Sequence, residues 1–190
     1  MYELFDMIDK CKKCEFNSEY LPKIYGKGNI TPTIMIISNE PKMENEQEQS
    51  SLINPKLYAE FKLNSLLSKI GINKKDVYYT HCIKCRPQDI DENQLKVKKL
   101  WLRNCKNILL KEIEFVSPDF IICLGKDAFY TITKKDIKLT ENHGKIFKLK
   151  INDKSIRMMI TYNIDAILYK ESLEKDIIND FKRFKLKIGE

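Results

Sequence analysis

Apolar side chains follow two rhythms along this chain. Unbroken runs come first: Thr33-Ile34-Met35-Ile36-Ile37 sits between Pro32 and Ser38-Asn39, and Asp119-Phe120-Ile121-Ile122-Cys123-Leu124 follows Pro118. Met158-Met159-Ile160-Thr161-Tyr162 is a third run, and Asp76 to Ile83, with Val77, Tyr78, Tyr79 and Thr80, is a fourth, ended by Lys84-Cys85-Arg86-Pro87. Runs of this length bounded by turn residues predict strands buried on both faces. Helical spacing separates them. Leu57, Phe61, Leu63, Leu66, Leu67 and Ile70 predict a helix closed by Gly71, and Leu95, Leu100, Leu102, Ile108, Leu109 and Ile113 predict one long or two short helices over 92–116. A short helix is expected over Tyr2 to Lys10 and a terminal one over Ala166 to Leu186. Residues 17–32 and the polar stretch after Pro41 to Ser51 read as loop; 142–160 reads as an Asn142-His143-Gly144 turn with two alternating segments.

Strand, loop and helix repeated in this way predict an α/β fold, a three-layer α/β/α sandwich around a central four-stranded parallel sheet, in a single domain over residues 1–190. Ligands bind such sheets at the carboxyl ends of the strands. The segments to watch are therefore Ser38 to Lys42, His81 to Pro87, Gly125 to Ala128, and Asn163 to Asp165.

Charge adds a partner class. The chain carries 34 Lys and Arg against 27 Asp and Glu, a formal charge of +7. Between Lys74 and Lys111 there are ten basic and four acidic residues, so most of the excess sits in one stretch. Such a stretch suits phosphate, with salt-sensitive binding; a solvated helix face is the other reading. No segment approaches a membrane span, and the acidic opening Met1-Tyr2-Glu3 lacks the order of a signal peptide, so a cytoplasmic protein without membrane contact is expected. Six cysteines in a reducing compartment predict thiols. Cys11-Lys12-Lys13-Cys14 is a C-x-x-C pair; Cys85 stands at a strand end and Cys105 on the next helix, so both can approach it. Four thiolates suit an iron–sulfur cluster or a zinc ion equally. Cys82 and Cys123, inside apolar runs, read as small buried hydrophobes.

The segment Asp76-Val77-Tyr78-Tyr79-Thr80-His81-Cys82-Ile83-Lys84-Cys85-Arg86-Pro87 resembles the D-V-Y-x-x-N-x-x-K-C-R-P stretch of the iron–sulfur uracil-DNA glycosylases, the family 4 type. Cys11-Lys12-Lys13-Cys14, the Gly26-Lys27-Gly28-Asn29 loop and the run Pro118 to Ala128, with Leu124-Gly125 in its middle, resemble further segments of that family in the same order. The resemblance implies a structural 4Fe–4S cluster, with zinc as the alternative, held by Cys11, Cys14, Cys85 and Cys105. It implies a DNA-binding face at the strand ends, with Lys42, Lys84 and Arg86 as DNA contacts. The cluster's role would be positional.

The catalytic positions depart from the family. A glycosylase extracts a base, grips its edge and face, and stabilises a cationic sugar while water attacks. Where the family reads G-E-A-P-G this chain has Ser38-Asn39-Glu40-Pro41-Lys42, so the acid of the second position is replaced by Asn39 and a carboxylate stands one place on. Glu40 is the candidate for activating water, and Asn39 for contacting the base; capping of the loop is the plainer role for Glu40. His81 occupies the place of the base-reading asparagine. Asn163 replaces the histidine of T-x-H-P, as a second catalytic candidate, and His143-Gly144 stands for R-G, which makes His143 a base-binding candidate. Tyr58 is the candidate stacking ring. Two functions remain: a DNA glycosylase acting on uracil or another altered base in excision repair, or a catalytically retired relative that binds DNA or a replication or repair partner. Either is expected to be a monomer acting on single- or double-stranded DNA.

Overall fold

The computed structural model describes residues 2–14, 23–39, 55–85 and 95–188. In chain order the elements are α1 (Tyr2–Asp9), β1 (Lys27–Gly28), β2 (Ile34–Ser38), α2 (Pro55–Lys69), β3 (Val77–His81), α3 (Leu95–Val116), β4 (Phe120–Leu124), α4 (Lys126–Thr133), α5 (Leu139–Asn142), β5 (Ile146–Ile151), β6 (Lys154–Thr161) and α6 (Leu173–Ile188). The sheet runs β1-β3-β2-β4-β6-β5. Its four inner strands are parallel, as the apolar runs predict, but among the described residues the sheet has six strands, because an antiparallel strand closes each edge.

Both additions have local causes. β5 and β6 are the alternating pair expected over 142–160, and Lys148 and Lys150 on β5 point exposed charge from the edge, which blunts further strand pairing. β1 falls where the Gly- and Pro-rich composition predicts loop. Gly28 lets the chain press onto β3: its φ is +115°, and a Cβ there would stand 2.3 Å from the Val77 carbonyl oxygen. The terminal helix is also shorter than expected. Ile164–Leu168 forms a separate 3-10 turn, and α6 begins only at Leu173, after Ser172 and with Glu174 and Asp176 in its first turn, where acids favour a helix start.

Alternation along each inner strand divides the core. Met35 and Ile37 face α3 and α4, packing with Trp101, Leu109 and Phe129; Ile34 and Ile36 face α2 and α6, packing with Leu66, Leu67 and Phe181. Cys82 and Cys123 are wholly buried on the α3 side, as their apolar flanks predict. From β2 the chain crosses through α2 to β3 on one side; from β4 it crosses by way of α4 to β6 on the other. The carboxyl ends of β2 and β4 therefore flank a topological switch point, the place where parallel sheets open a crevice. None of the helices among the described residues is long and apolar enough to cross a membrane.

Candidate functional site

A cleft of about 310 Å³ opens at that switch point. The strand ends supply its polar floor: Ser38 and Asn39 from β2, Thr80 and His81 from β3, Asn163 and Asp165 after β6. Ile36, Leu63, Leu124 and Ile164 supply apolar walls. Ser38 and His81 are register partners, and the Ser38 hydroxyl meets His81 Nδ1 at 2.5 Å. The Cys82 N–H donates to the carbonyls of both Ser38 (2.9 Å) and Asn39 (3.0 Å), which locks the two strand ends together. His81 and Asn39 are thus placed by backbone, not by side-chain chance.

Gly125 seats the second pair of strands. Its N–H donates to the Thr161 carbonyl at 2.8 Å, and its φ of 91° with ψ 161° belongs to a region essentially restricted to glycine. A Cβ there would lie 3.1 Å from Asn39 Oδ1 and 3.2 Å from Asn163 Nδ2, so two amides meet over the bare Cα. Gly125→Ala is expected to lose about 1–3 kcal/mol of stability from backbone strain alone and to push both amides apart. Urea unfolding measures the first effect; ligand affinity at the cleft measures the second. Asn39 Oδ1 is buried and has no hydrogen-bond partner among the described residues. An orphaned acceptor of this kind costs about 1–3 kcal/mol, which an incoming N–H donor recovers.

The cleft rim is tied to the rest of the fold. The Tyr79 hydroxyl reaches Asn64 Oδ1 at 3.4 Å and is pushed up to about 12 by burial and by the Glu60 charge. Lys27 pairs with Glu60 at 3.0 Å across the opening, and Tyr25 donates to Asp9 on the first helix.

Three expected site residues lie elsewhere. His143 does not line the cleft: its Nδ1 lies 2.9 Å from Asp180 Oδ2, and its ring packs 5.0 Å from Tyr162. Its partner Asp180, fully buried, also accepts from the Thr161 hydroxyl at 2.7 Å, so His143 braces the strand that leads to Asn163. Tyr58 is on α2, but the positions that α2 turns to the cleft are Ala59, Glu60, Leu63 and Asn64. Lys84 is 1% exposed and pairs with the wholly buried Glu112, so it cannot meet a phosphate. Glu40, Lys42 and Arg86 lie outside the described residues.

The four candidate ligand cysteines converge on a corner beside β3 and α3. Leu4 and Ile8 of α1 pack on Ile108 of α3, which brings Cys11 alongside. Asn104 of α3 holds the next residues, its Nδ2 lying 2.6 Å from the Lys13 carbonyl and 3.4 Å from Cys14 Sγ. Lys23 bridges Cys85 in antiparallel fashion, with Nζ 3.7 Å from its sulfur. Burial pushes the Cys105 thiol up to about 11, and the charges of Cys14, Cys85 and Cys11 all add to that rise; the Lys84 backbone N–H opposes it. The Cys85 thiol is raised chiefly by burial and also feels Cys11 and Cys14. Mutual reach of this kind places four thiols in one neighbourhood. No three metal-binding side chains among the described residues are close enough to hold a single ion.

Two buried acids escaped the sequence reading. Glu112 accepts from the Tyr78 hydroxyl (3.0 Å), from Thr80 and from Lys84, joining the cleft wall to the residue before Cys85. Asp180 braces Thr161. Their signal was available: Glu112 adjoins Ile113 in an apolar helix stripe, and Asp180 lies among Ile177, Phe181 and Phe184. Asp165 falls within the Asn163-to-Asp165 strand end that the sequence singles out, whereas Asn64, also in the cleft, carried no signal.

Comparison with known proteins gives a consistent result. A family model described as the uracil DNA glycosylase superfamily matches residues 25–184. The chain is similar to the type-4 uracil-DNA glycosylase of Archaeoglobus fulgidus, with 27% identity over 188 residues, 96% of this chain and 88% of that one. It is 28% identical to the type-4 uracil-DNA glycosylase of Saccharolobus solfataricus over 95% of this chain and 82% of the relative. With that of Thermotoga maritima it shares 26% identity over 73% of this chain and 69% of the relative.

Proposed function

Because the chain belongs to the uracil DNA glycosylase superfamily, we propose that it is a DNA glycosylase that hydrolyses the N-glycosidic bond of a flipped uracil or other altered base, with a rearranged set of catalytic groups. The observation that carries this reading is the cleft at the switch point, where Asn39, His81 and Asn163 converge between apolar walls. An amide presents an acceptor and a donor in one plane, complementary to the N–H and C=O of a lactam edge. The orphaned Oδ1 of Asn39 supports a ligand that brings an N–H. Asn163 is taken to stabilise negative charge on the departing base, and the Glu40 carboxylate, together with Asp165 of the cleft, to orient the attacking water.

The cysteine corner fits a 4Fe–4S cluster on Cys11, Cys14, Cys85 and Cys105. The four thiols lie within electrostatic reach of one another there, and the Lys23 ammonium and the Lys84 N–H both offset negative charge on sulfur. By donor type four thiolates suit a zinc ion or a cluster, and the resemblance of the Cys11–Cys14 pair and the Lys84-Cys85-Arg86-Pro87 segment to the iron–sulfur glycosylases favours the cluster. Such a group supplies no hydrolytic chemistry and would tie α1, the loop after β3 and α3 together. The partner is DNA, and the protein is taken to work as a single domain and as a monomer.

Single- and double-stranded DNA carrying uracil, hypoxanthine or hydroxymethyluracil, followed by alkaline strand cleavage, tests the reading. Release of at least one base is expected, reduced about a hundredfold in Asn163→Ala, as when one positioned electrostatic group is lost. Failure to release any base, with salt-dependent DNA binding intact, would identify a retired, DNA-binding relative.

A further inference from the structure

The outer surface of the α3 and α4 layer carries cations that the cleft does not use. Lys99, Arg103 and Lys106 recur at i, i+4 and i+7 on α3, hence on one side of the helix, and Lys99 and Arg103 are exposed. Lys134 caps the end of α4, which packs against α3, and its Nζ stands 5.6 Å over the Tyr130 ring. Asn104, between Arg103 and Lys106 in sequence, anchors the exposed Lys13 of the C-x-x-C loop beside the same helix. Among the described residues none of Lys99, Arg103, Lys106 and Lys134 has a carboxylate partner. Slight burial lowers the proton affinity of Lys134, and the Lys106 and Arg103 charges lower it further, so these cations stand close enough to repel. That repulsion is relieved by an anion with several charges in a row.

We propose that Arg103, Lys106 and Lys134 form a second phosphate-binding tract that grips the DNA backbone flanking the base held in the cleft. A nucleic acid backbone fits this surface better than an acidic protein segment. Duplex DNA offers a charge about every 1.7 Å of axis, matching several adjacent unpaired cations, whereas protein interfaces are centred on apolar and aromatic groups with charge depleted at the core. Among the described side chains of α3 the exposed apolar ones are Leu100, one turn before Arg103 at the edge of the tract, and Phe115, far down the helix, so the three cations do not ring an apolar centre. α3 follows β3 in the chain and leads into the amino end of β4, so its first turns lie toward the carboxyl ends of the strands, the edge on which the cleft opens.

The inference rests on the DNA-binding part of the proposed function and is tested without base release. The full chain and its Arg103→Ala/Lys106→Ala/Lys134→Ala variant are titrated with a long and a short duplex over a range of salt. Each lost phosphate contact lowers the slope of log K against log[salt] by about 0.9, so the variant is expected to lose about 2–3 from that slope on the long duplex and less on the short one. A Lys148→Ala/Lys150→Ala variant, neutralised on the β5 edge, is expected to keep the full slope. Coincident thermal unfolding of all three proteins shows that the fold is intact. An unchanged slope in the triple variant overturns the tract, and if base release persists in the same protein the glycosylase reading stands without it. A reduced slope in a protein that releases no base leaves the tract standing and removes the activity.

Discussion

Lys84→Met is expected to lower the unfolding free energy by about 3–5 kcal/mol, far beyond the half kilocalorie or so of an ordinary surface lysine. The reason is the partner left behind. Glu112 is wholly buried and takes the Lys84 ammonium, the Thr80 hydroxyl and the Tyr78 hydroxyl on its two oxygens. Removing the cation leaves a carboxylate with two neutral donors in a region that also holds Leu109 and Ile113. Lys84→Met/Glu112→Leu, which removes both charges, is expected to regain much of the loss, although the Tyr78 and Thr80 hydroxyls then lose an acceptor. Urea unfolding with an unchanged m-value measures both variants. The same experiment separates two roles for this lysine: as a phosphate contact, Lys84→Met would leave stability alone and reduce the salt dependence of DNA binding. Its buried side chain, paired with Glu112, is placed for the structural role. Because Thr80 lines the cleft and Lys84 precedes Cys85, the network also joins the two functional regions, and its loss is expected to loosen both.

The parts of the fold that were legible in the sequence are those where one physical signal dominates. Ile34-Met35-Ile36-Ile37 and Phe120-Ile121-Ile122 are apolar on every residue, and only strands buried on both faces use such runs at that length. β1 has no signal of its own: Lys27 and Gly28 form a strand because glycine at 28 admits the neighbouring carbonyl, a tertiary fact. The strand-end rule found Asn39, His81 and Asn163, since it depends only on where apolar runs stop. It did not extend to His143 and Tyr58, because a helix or turn residue reaches a cleft only through its rotation about an axis that the sequence leaves open. Lys84 shows the limit of counting charge. Among the ten basic residues of the 74–111 stretch, sequence could not reveal that one of them turns inward to a carboxylate 28 residues away. Resemblance to a family carried the cysteine set, yet resemblance is least informative at Asn39, His81 and Asn163, where the residues differ from the family's motifs.

Protein purified without oxygen is expected to contain iron and the visible absorbance of an iron–sulfur cluster, and Cys105→Ala is expected to lose both. Three cysteines, Cys82, Cys105 and Cys123, are almost fully buried, so exposure alone does not separate ligand from core filler. Their surroundings do. Cys123 lies within β4, its thiol raised well above the ordinary range by burial, then by the Cys82 charge, and no cation among the described residues offsets that rise. Cys105 has the Lys84 N–H against its sulfur and three further thiols within electrostatic reach. A buried thiolate persists only where positive charge compensates it, and a metal centre supplies that charge. Cys82→Ala and Cys123→Ala are therefore expected to keep iron at the wild-type ratio and to lose about 1 kcal/mol through the small cavities they leave. In Cys105→Ala the α1 segment, the loop after β3 and α3 lose their common tie, so the thermal midpoint should fall further than in either core variant. Zinc in place of iron in the wild-type protein would replace the cluster by a single-ion site. Iron content that survives Cys105→Ala and disappears in Cys123→Ala would assign the ligand to the sheet interior, and the corner beside α3 would then be packing alone.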